Sequence, residues 1–213
     1  MGIVMKNGFT GLLLAAFTGG FATAALAQSV IYGTLGPGDA FNTNSSVSFT
    51  EGADLDGYAD RFTSPVTEDV SSVSIALEAA TAGATITLSI HSNLDNAPSG
   101  PNGIIGTFSP VTLPTDPGVV TFDATTDFQL NAGTEYWLTI NASSGQTDWF
   151  FNDQGIENFT SAHLDDSWNT EDVAGQALAF EVDAVPEPRT LALCAAGLFV
   201  LCLARRRRKG ICG

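Results

Sequence analysis

Residues 84–92 read "ATITLSIHS", and the alternation in these nine letters decides the fold class. Ala84, Ile86, Leu88 and Ile90 take every second position, with Thr85, Thr87, Ser89 and His91 between them. Successive side chains of a strand point to opposite faces. A period of two therefore sets one apolar face on a core and leaves one polar face outside. Residues 70–78, "VSSVSIALE", repeat the pattern, with Val73, Ile75 and Leu77 against Ser72, Ser74 and Glu78. Residues 134–142, "TEYWLTINA", set Tyr136, Leu138 and Ile140 against Glu135, Trp137, Thr139 and Asn141.

Outward from these three, weaker strand candidates are "SVSFT", "GIIGTF", "VVTFDA", "DFQL", "DWFF" and "LAFEVDA". Turn formers separate them: "DNAPSGPNG", "SPVTLPTDPG", "NAG" and "SSGQ". No stretch between the two ends of the chain holds a helical repeat for about 12 residues. Residues 153–172 are polar and irregular and read as a long loop, in which "IENFTSAHLDDSW" could form one short turn of helix. Many short strands at this spacing predict an all-β chain. The expected architecture is a single antiparallel β-sandwich, jelly-roll-like, with a short C-terminal transmembrane helix added.

The two ends differ from the middle. Residues 1–27 hold one early cation, Lys6, an apolar run broken at Gly19 and Gly20, and small residues at Ala25 and Ala27. That is the pattern of a signal peptide for the general secretory translocon, with signal peptidase cutting between Ala27 and Gln28. The expected folded domain is then 28–184, about 160 residues and enough for one core.

Charge is segregated along the chain. All 23 carboxylates fall between Asp39 and Glu187, where the only cation is Arg61, so that span carries a net charge of about −22. Such a surface repels nucleic acid and anionic lipid, and no nucleic-acid partner is expected. The three cysteines, Cys194, Cys202 and Cys212, all lie in the C-terminal tail. The domain thus has no disulfide, no thiol nucleophile and no Cys-ligated zinc.

The tail, 185–213, opens on Pro186, Glu187 and Pro188, continues through 190–204 without a charge, and reaches Arg205, Arg206, Arg207, Arg208 and Lys209. Fifteen helical residues span about 22 Å, short of the roughly 30 Å hydrocarbon core. Arginine stems that snorkel to the headgroups extend the reach. The cations fix the arginine end in the cytoplasm and put the acidic domain across the membrane. Pro186 and Pro188 deny the backbone a helix and hold Glu187 in an extended segment just outside the bilayer. One reading is a permanent single-pass anchor. The other is a label gripped by a membrane-embedded peptidase.

A Pro-Glu-Pro tripeptide, a short apolar helix and a terminal arginine cluster resemble the PEP-CTERM sorting signal of Gram-negative bacteria. The resemblance covers about 25 residues, and "KGICG" continues past the arginines. It implies an exosortase substrate, exported and handed to an integral-membrane peptidase, with a cell-envelope role linked to exopolysaccharide. Carried over, Pro186, Glu187 and Pro188 are the recognition motif, and Arg205, Arg206, Arg207 and Arg208 the cytoplasmic stop. Further inside the chain, "SIHSNLDNAPSGPNGIIGTFS" and "FQLNAGTEYWLTINASSGQTDWFFND" are similar to the choice-of-anchor R type of surface domain. Leu130, Ala132, Gly133, Thr134, Tyr136 and Trp137 match its "L-x-A-G-T-x-Y-W" strand start, while "PSGPNG" replaces a simpler Pro-Gly turn. That family implies a β-sandwich without established catalytic residues.

Chemistry of the domain's own is sparse in the sequence. The histidines are His91, on the polar face of a strand, and His163, in the expected loop. No Ser sits in a G-x-S-x-G context, no H-E-x-x-H occurs, and with so many acids chance carboxylate pairs are inevitable. No enzyme activity is expected. Calcium is the one ion with a candidate site: "EGADLDGYAD" offers Asp54, Asp56 and Asp60 around Gly57, with Glu51 nearby. Hard cations take several oxygens on a bendable loop. Glycan stacking has candidates in Trp137 and Trp149, with Phe150 and Trp168 beside them, against the alternative that large aromatics belong to the core. The expectation is an exported, non-enzymatic surface or matrix protein with a structural or adhesive role. Its rival is a secreted carbohydrate-binding module.

Overall fold

The computed structural model describes residues 29–52, 56–158, 160–164, 167–171 and 176–186. Ala27, Gln28, Asp54, Glu187, Pro188, the 190–204 segment and Arg205–Arg208 lie outside them. Pro186 is described and exposed. The strands are β1 (Val30–Gly33), β2 (Asn42–Thr50), β3 (Gly57–Thr63), β4 (Glu68–Ala79), β5 (Thr85–Leu94), β6 (Ala97–Pro98) and β7 (Ile104–Thr107). They continue as β8 (Gly118–Asp123), β9 (Gln129–Leu130), β10 (Glu135–Ser144), β11 (Gln146–Phe151), β12 (Thr160–Leu164), β13 (Ser167–Glu171) and β14 (Phe180–Ala184). Among the described residues there is no α-helix, only a 3-10 turn at Pro101–Gly103. None is long and apolar enough to cross a membrane.

Two antiparallel sheets form. Sheet one runs β1-β14-β4-β11-β2, with β8 and β9 also paired to β4, and sheet two runs β13-β12-β3-β10-β5-β6, with β7 also on β5. β14 and β8 pair overlapping parts of β4, so they lie on its two opposite sides. The order along sheet one is therefore also β2-β11-β4-β8, and along sheet two β3-β10-β5-β7.

The inward residues are those the alternation selects. Val73, Ile75 and Leu77 on β4, Ile86, Leu88 and Ile90 on β5, and Tyr136, Leu138 and Ile140 on β10 all enter one core. Aromatic rings stitch the sheets together across it: Tyr32 and Phe62 at 5.2 Å, Phe62 and Phe180 at 5.8 Å, Phe49 and Tyr58 at 5.9 Å. Burying each such side chain stabilises the fold by roughly 1.5–3 kcal/mol, and the shared core is what holds the two sheets face to face.

Turn chemistry follows the letters. Asp95 and Asn96 both adopt positive φ between β5 and β6, the backbone that a two-residue hairpin of this hand requires. Gly133, in "NAG", takes φ 72° just before β10. The "L-x-A-G-T-x-Y-W" residues serve this corner: Leu130 is buried, and Tyr136 Oη accepts the Asn131 backbone N–H at 2.9 Å.

Two expectations are corrected. Residues 153–172 are not a plain loop, and the short turn of helix does not form. β12 and β13 make a hairpin there and extend sheet two beyond β3. The hairpin is held through backbone ladders, so it left no apolar period to read. Of the acidic stretch, Gly57 to Asp60 open a strand, β3, paired on one side with β10 and on the other with β12.

Candidate functional site

The outer face of sheet two carries a row of small polar side chains. Alternation on β5 turns Thr87, Ser89 and His91 away from the core that Ile86, Leu88 and Ile90 occupy, and β10 adds Thr139 and Asn141 beside them. Gly57 lies opposite Asn141 across the β3–β10 pair, where a Cβ would strike the Asn141 side chain. Two other segments rise over this floor. The β12–β13 hairpin brings Trp168, and the turn before β7 brings Gly100, Pro101 and Ile104. Between floor and walls lies an open cleft of about 610 Å³, a volume typical of sites for small ligands.

The floor is tightly hydrogen-bonded. His91, only 8% exposed, has Nδ1 at 2.6 Å from the Ser99 carbonyl oxygen and Nε2 at 3.0 Å from Ser89 Oγ. Ser89 Oγ also lies 2.8 Å from Thr139 Oγ1, which in turn approaches the Ser89 carbonyl at 3.2 Å. Burial lowers the His91 pKa below its ordinary value, and the Ser99 contact opposes this only in part. Asn141 Oδ1 is buried without a hydrogen-bond partner.

Beyond the cleft the same face is closed by charge. Trp137 Nε1 donates to Asn93 Oδ1 at 2.9 Å, and Asn93 Nδ2 donates to Glu135 Oε2 at 2.8 Å. Arg61 lies 3.6 Å from Glu135, donates to Asn96, and sits 5.9 Å from the centre of the Trp137 ring.

This arrangement corrects the stacking candidates. Trp137 is fully buried under Arg61, although it occupies an outward position of β10. Trp149 is fully buried in the core, edge-on to Phe180 at 6.1 Å, and donates Nε1–H to the Ala179 carbonyl at 3.2 Å. Neither indole presents a face to a sugar. Phe150 is also covered, on the outer side of sheet one, against Phe41 at 5.3 Å. Of the aromatic candidates, Trp168 alone lines the cleft.

Of the calcium candidates, Asp54 lies outside the described residues and Asp60 is drawn into the fold by the strand. Asp60 shares the inward face of β3 with Tyr58 and Phe62, and its Oδ2 accepts the Leu178 backbone N–H at 2.6 Å, while Oδ1 has no partner. Burial pushes this carboxyl well above the usual range, against the opposing effects of the Leu178 and Arg61 amides and the Arg61 charge. A carboxyl turned into the core cannot join Asp56 on a loop. Among the described residues no three His, Cys, Asp or Glu side chains gather as a metal site. The acids that do meet are Glu181 and Asp183, on the outer face of sheet one beside Ser72, whose hydroxyl donates to Asp183 at 3.2 Å. Burial, then the Asp183 charge, raises Glu181 to about 7.

The sequence named His91, Thr87, Ser89, Thr139 and Asn141 only as members of polar faces. Their outward alternation was the available signal; that walls rise over this floor was not in it.

No family model and no curated protein matches the chain. Among solved structures, it is similar to the cysteine protease and lectin-like domains of Cwp84, a surface layer associated protein of Clostridium difficile. That match has 8% identity and a TM-score of 0.47, over 62% of this chain and 32% of that one. It is also similar to a family two carbohydrate esterase from Cellvibrio japonicus, at 10% identity and a TM-score of 0.29, over 70% of this chain and 30% of that one.

Proposed function

We propose that this chain is an exported surface or extracellular-matrix protein that holds polysaccharide in the cleft on sheet two, in an adhesive and non-enzymatic role. The cleft carries this reading. Its floor offers hydroxyl and amide groups at strand spacing, its wall an indole, and its lining no charged side chain beyond the neutral His91. Sugars are recognised by that combination of polar floor and aromatic wall. The order β2-β11-β4-β8 against β3-β10-β5-β7 supports a jelly-roll β-sandwich as the scaffold, the double Greek key of lectin-type domains.

Delivery is the second half of the proposal. A leader ending at Ala27 opens the general secretory route. The 185–213 tail, with Pro186, Glu187 and Pro188 at its head and a helix over 190–204, hands the protein to an exosortase-type peptidase. The acidic middle of the chain suits life outside the cell, where its charge keeps it soluble.

Two measurements test the halves separately. Titration calorimetry of the mature protein against a panel of polysaccharides should give saturable binding to at least one, lost on Trp168→Ala. Binding that survives Trp168→Ala removes the cleft from the reading. Mass spectrometry of the mature C-terminus should find it near Pro188; a terminus at Gly213 removes the sorting half.

A further inference from the structure

The hydrogens on the cleft floor can be assigned one by one, and they narrow the ligand. A carbonyl oxygen can only accept, so the His91 Nδ1 at 2.6 Å from Ser99 O carries the ring proton. Burial disfavours the charged ring, and with the proton on Nδ1 the Nε2 lone pair faces Ser89 Oγ at 3.0 Å and accepts its hydrogen. The single Thr139 hydroxyl hydrogen is committed to Ser89, to its Oγ at 2.8 Å or its carbonyl at 3.2 Å. Ser89 therefore has no hydrogen left for a ligand and meets it with an oxygen lone pair. Besides the Trp168 indole, the other polar side chains of the lining are Thr87, Asn141 and Thr107, the last with its hydroxyl 2.7 Å from Thr125 Oγ1, and the Thr87 hydroxyl and Asn141 amide suit ring hydroxyls.

Charge points the same way. No cation lines the cleft, and Arg61 is held by Glu135, Asn96 and the Trp137 ring on the far side of Asn93. Between Asp39 and Glu187 the sequence sets 23 carboxylates against that one cation. A ligand made of carboxylates, sulfates or phosphates supplies acceptors to an acceptor and negative charge to an acidic molecule. An ammonium supplies three donors and no acceptor, and cations are attracted to aromatic side chains, of which Trp168 stands in the lining.

We propose that the cleft selects a polysaccharide whose sugars carry free, protonated amino groups, a de-N-acetylated hexosamine polymer, with Ser89 Oγ as the acceptor for an ammonium. His91 is the positioning residue, since its lone pair turns the Ser89 hydrogen inward. This rests on the polysaccharide reading above and adds the substrate class to it.

The test uses the mature protein and three oligosaccharides of equal length: a glucosamine oligomer, its N-acetylated counterpart and an oligo-uronate. Calorimetry runs below the pKa of the sugar amine. The glucosamine oligomer should bind about tenfold or more tightly than the N-acetylated one, and the uronate should not bind. Ser89→Ala should weaken the glucosamine oligomer about tenfold, and Ser89→Thr, which keeps the hydroxyl, should restore it; melts of both variants confirm the fold. Equal affinity for the free and acetylated amines overturns the ammonium assignment. Tighter binding of the uronate overturns it while leaving a polysaccharide site in place. Binding of the amine that is indifferent to both Ser89→Ala and Trp168→Ala is attraction to the acidic surface as a whole and overturns the cleft. No binding of these three or of any member of the wider panel overturns the polysaccharide reading itself.

Discussion

The two sheets share one core but turn unlike faces outward. Sheet one is sealed by an apolar patch, in which Ala76, Phe150 and Ala179 lie under Leu35, Phe41 and Val119. Beside that patch it carries the paired acids Glu181 and Asp183. Sheet two leaves its polar row under a cleft with no Asp, Glu, Lys or Arg in the lining. Covering one outer face with apolar side chains and acids, and hollowing the other, divides labour. The first face is closed by packing, and the second is left open as a cleft.

Mutation can break that division. The largest effect is expected on sheet one: Phe150→Ala should lower stability by about 3 kcal/mol in a urea melt while leaving saccharide affinity unchanged. A change in affinity would mean that the faces are not independent.

A smaller effect tests the acids. The folded-state pKa of Glu181 is raised above its ordinary 4.5 to about 7, so the folded protein holds a proton that the unfolded chain has released. Its favourable contribution is complete below 4.5 and is lost as pH rises through about 7. After allowance for solvent screening the loss is about 1 kcal/mol. Melts across that window should show it, and Glu181→Gln should flatten the profile. A profile that is equally steep in Glu181→Gln would move the titration elsewhere, to Asp183 or the buried Asp60.

The smallest stability change belongs to sheet two. Trp168→Ala should alter the melt by no more than about 1 kcal/mol, because the half-buried indole forms a wall of the cleft and not the core. A loss as large as that of Phe150→Ala would make Trp168 a packing residue first.

The long strands were legible because each carries an uninterrupted apolar face: β4, β5 and β10 read directly from their letters. β3 was not, since Asp60 stands in the inward row between Tyr58 and Phe62 and makes a buried strand look like an acidic loop. β12 and β13 were hidden for another reason, that pairing through the backbone imposes no hydrophobic period. Trp137 shows the limit of alternation. Its outward position was legible, but the cover supplied by Arg61 and Asn93 comes from other strands. The cleft had the same fate. Thr87, Ser89 and His91 could be read as one face, but Trp168 reaches them from a hairpin much later in the chain, and periodicity along one segment cannot report a neighbour across space.

The way the chain leaves the fold has a mechanical consequence. β14 is flanked by β1 on one side and β4 on the other, and just past it Val185 N–H donates to the Asp69 carbonyl at 2.8 Å. A load applied beyond Pro186 pulls β14 along its own axis. The ladder bonds on both flanks run across that axis, so they are sheared together instead of being peeled open one after another. A strand at the margin of a sheet would meet the same pull with one ladder instead of two. The fold thus meets tension at a strand gripped from both sides.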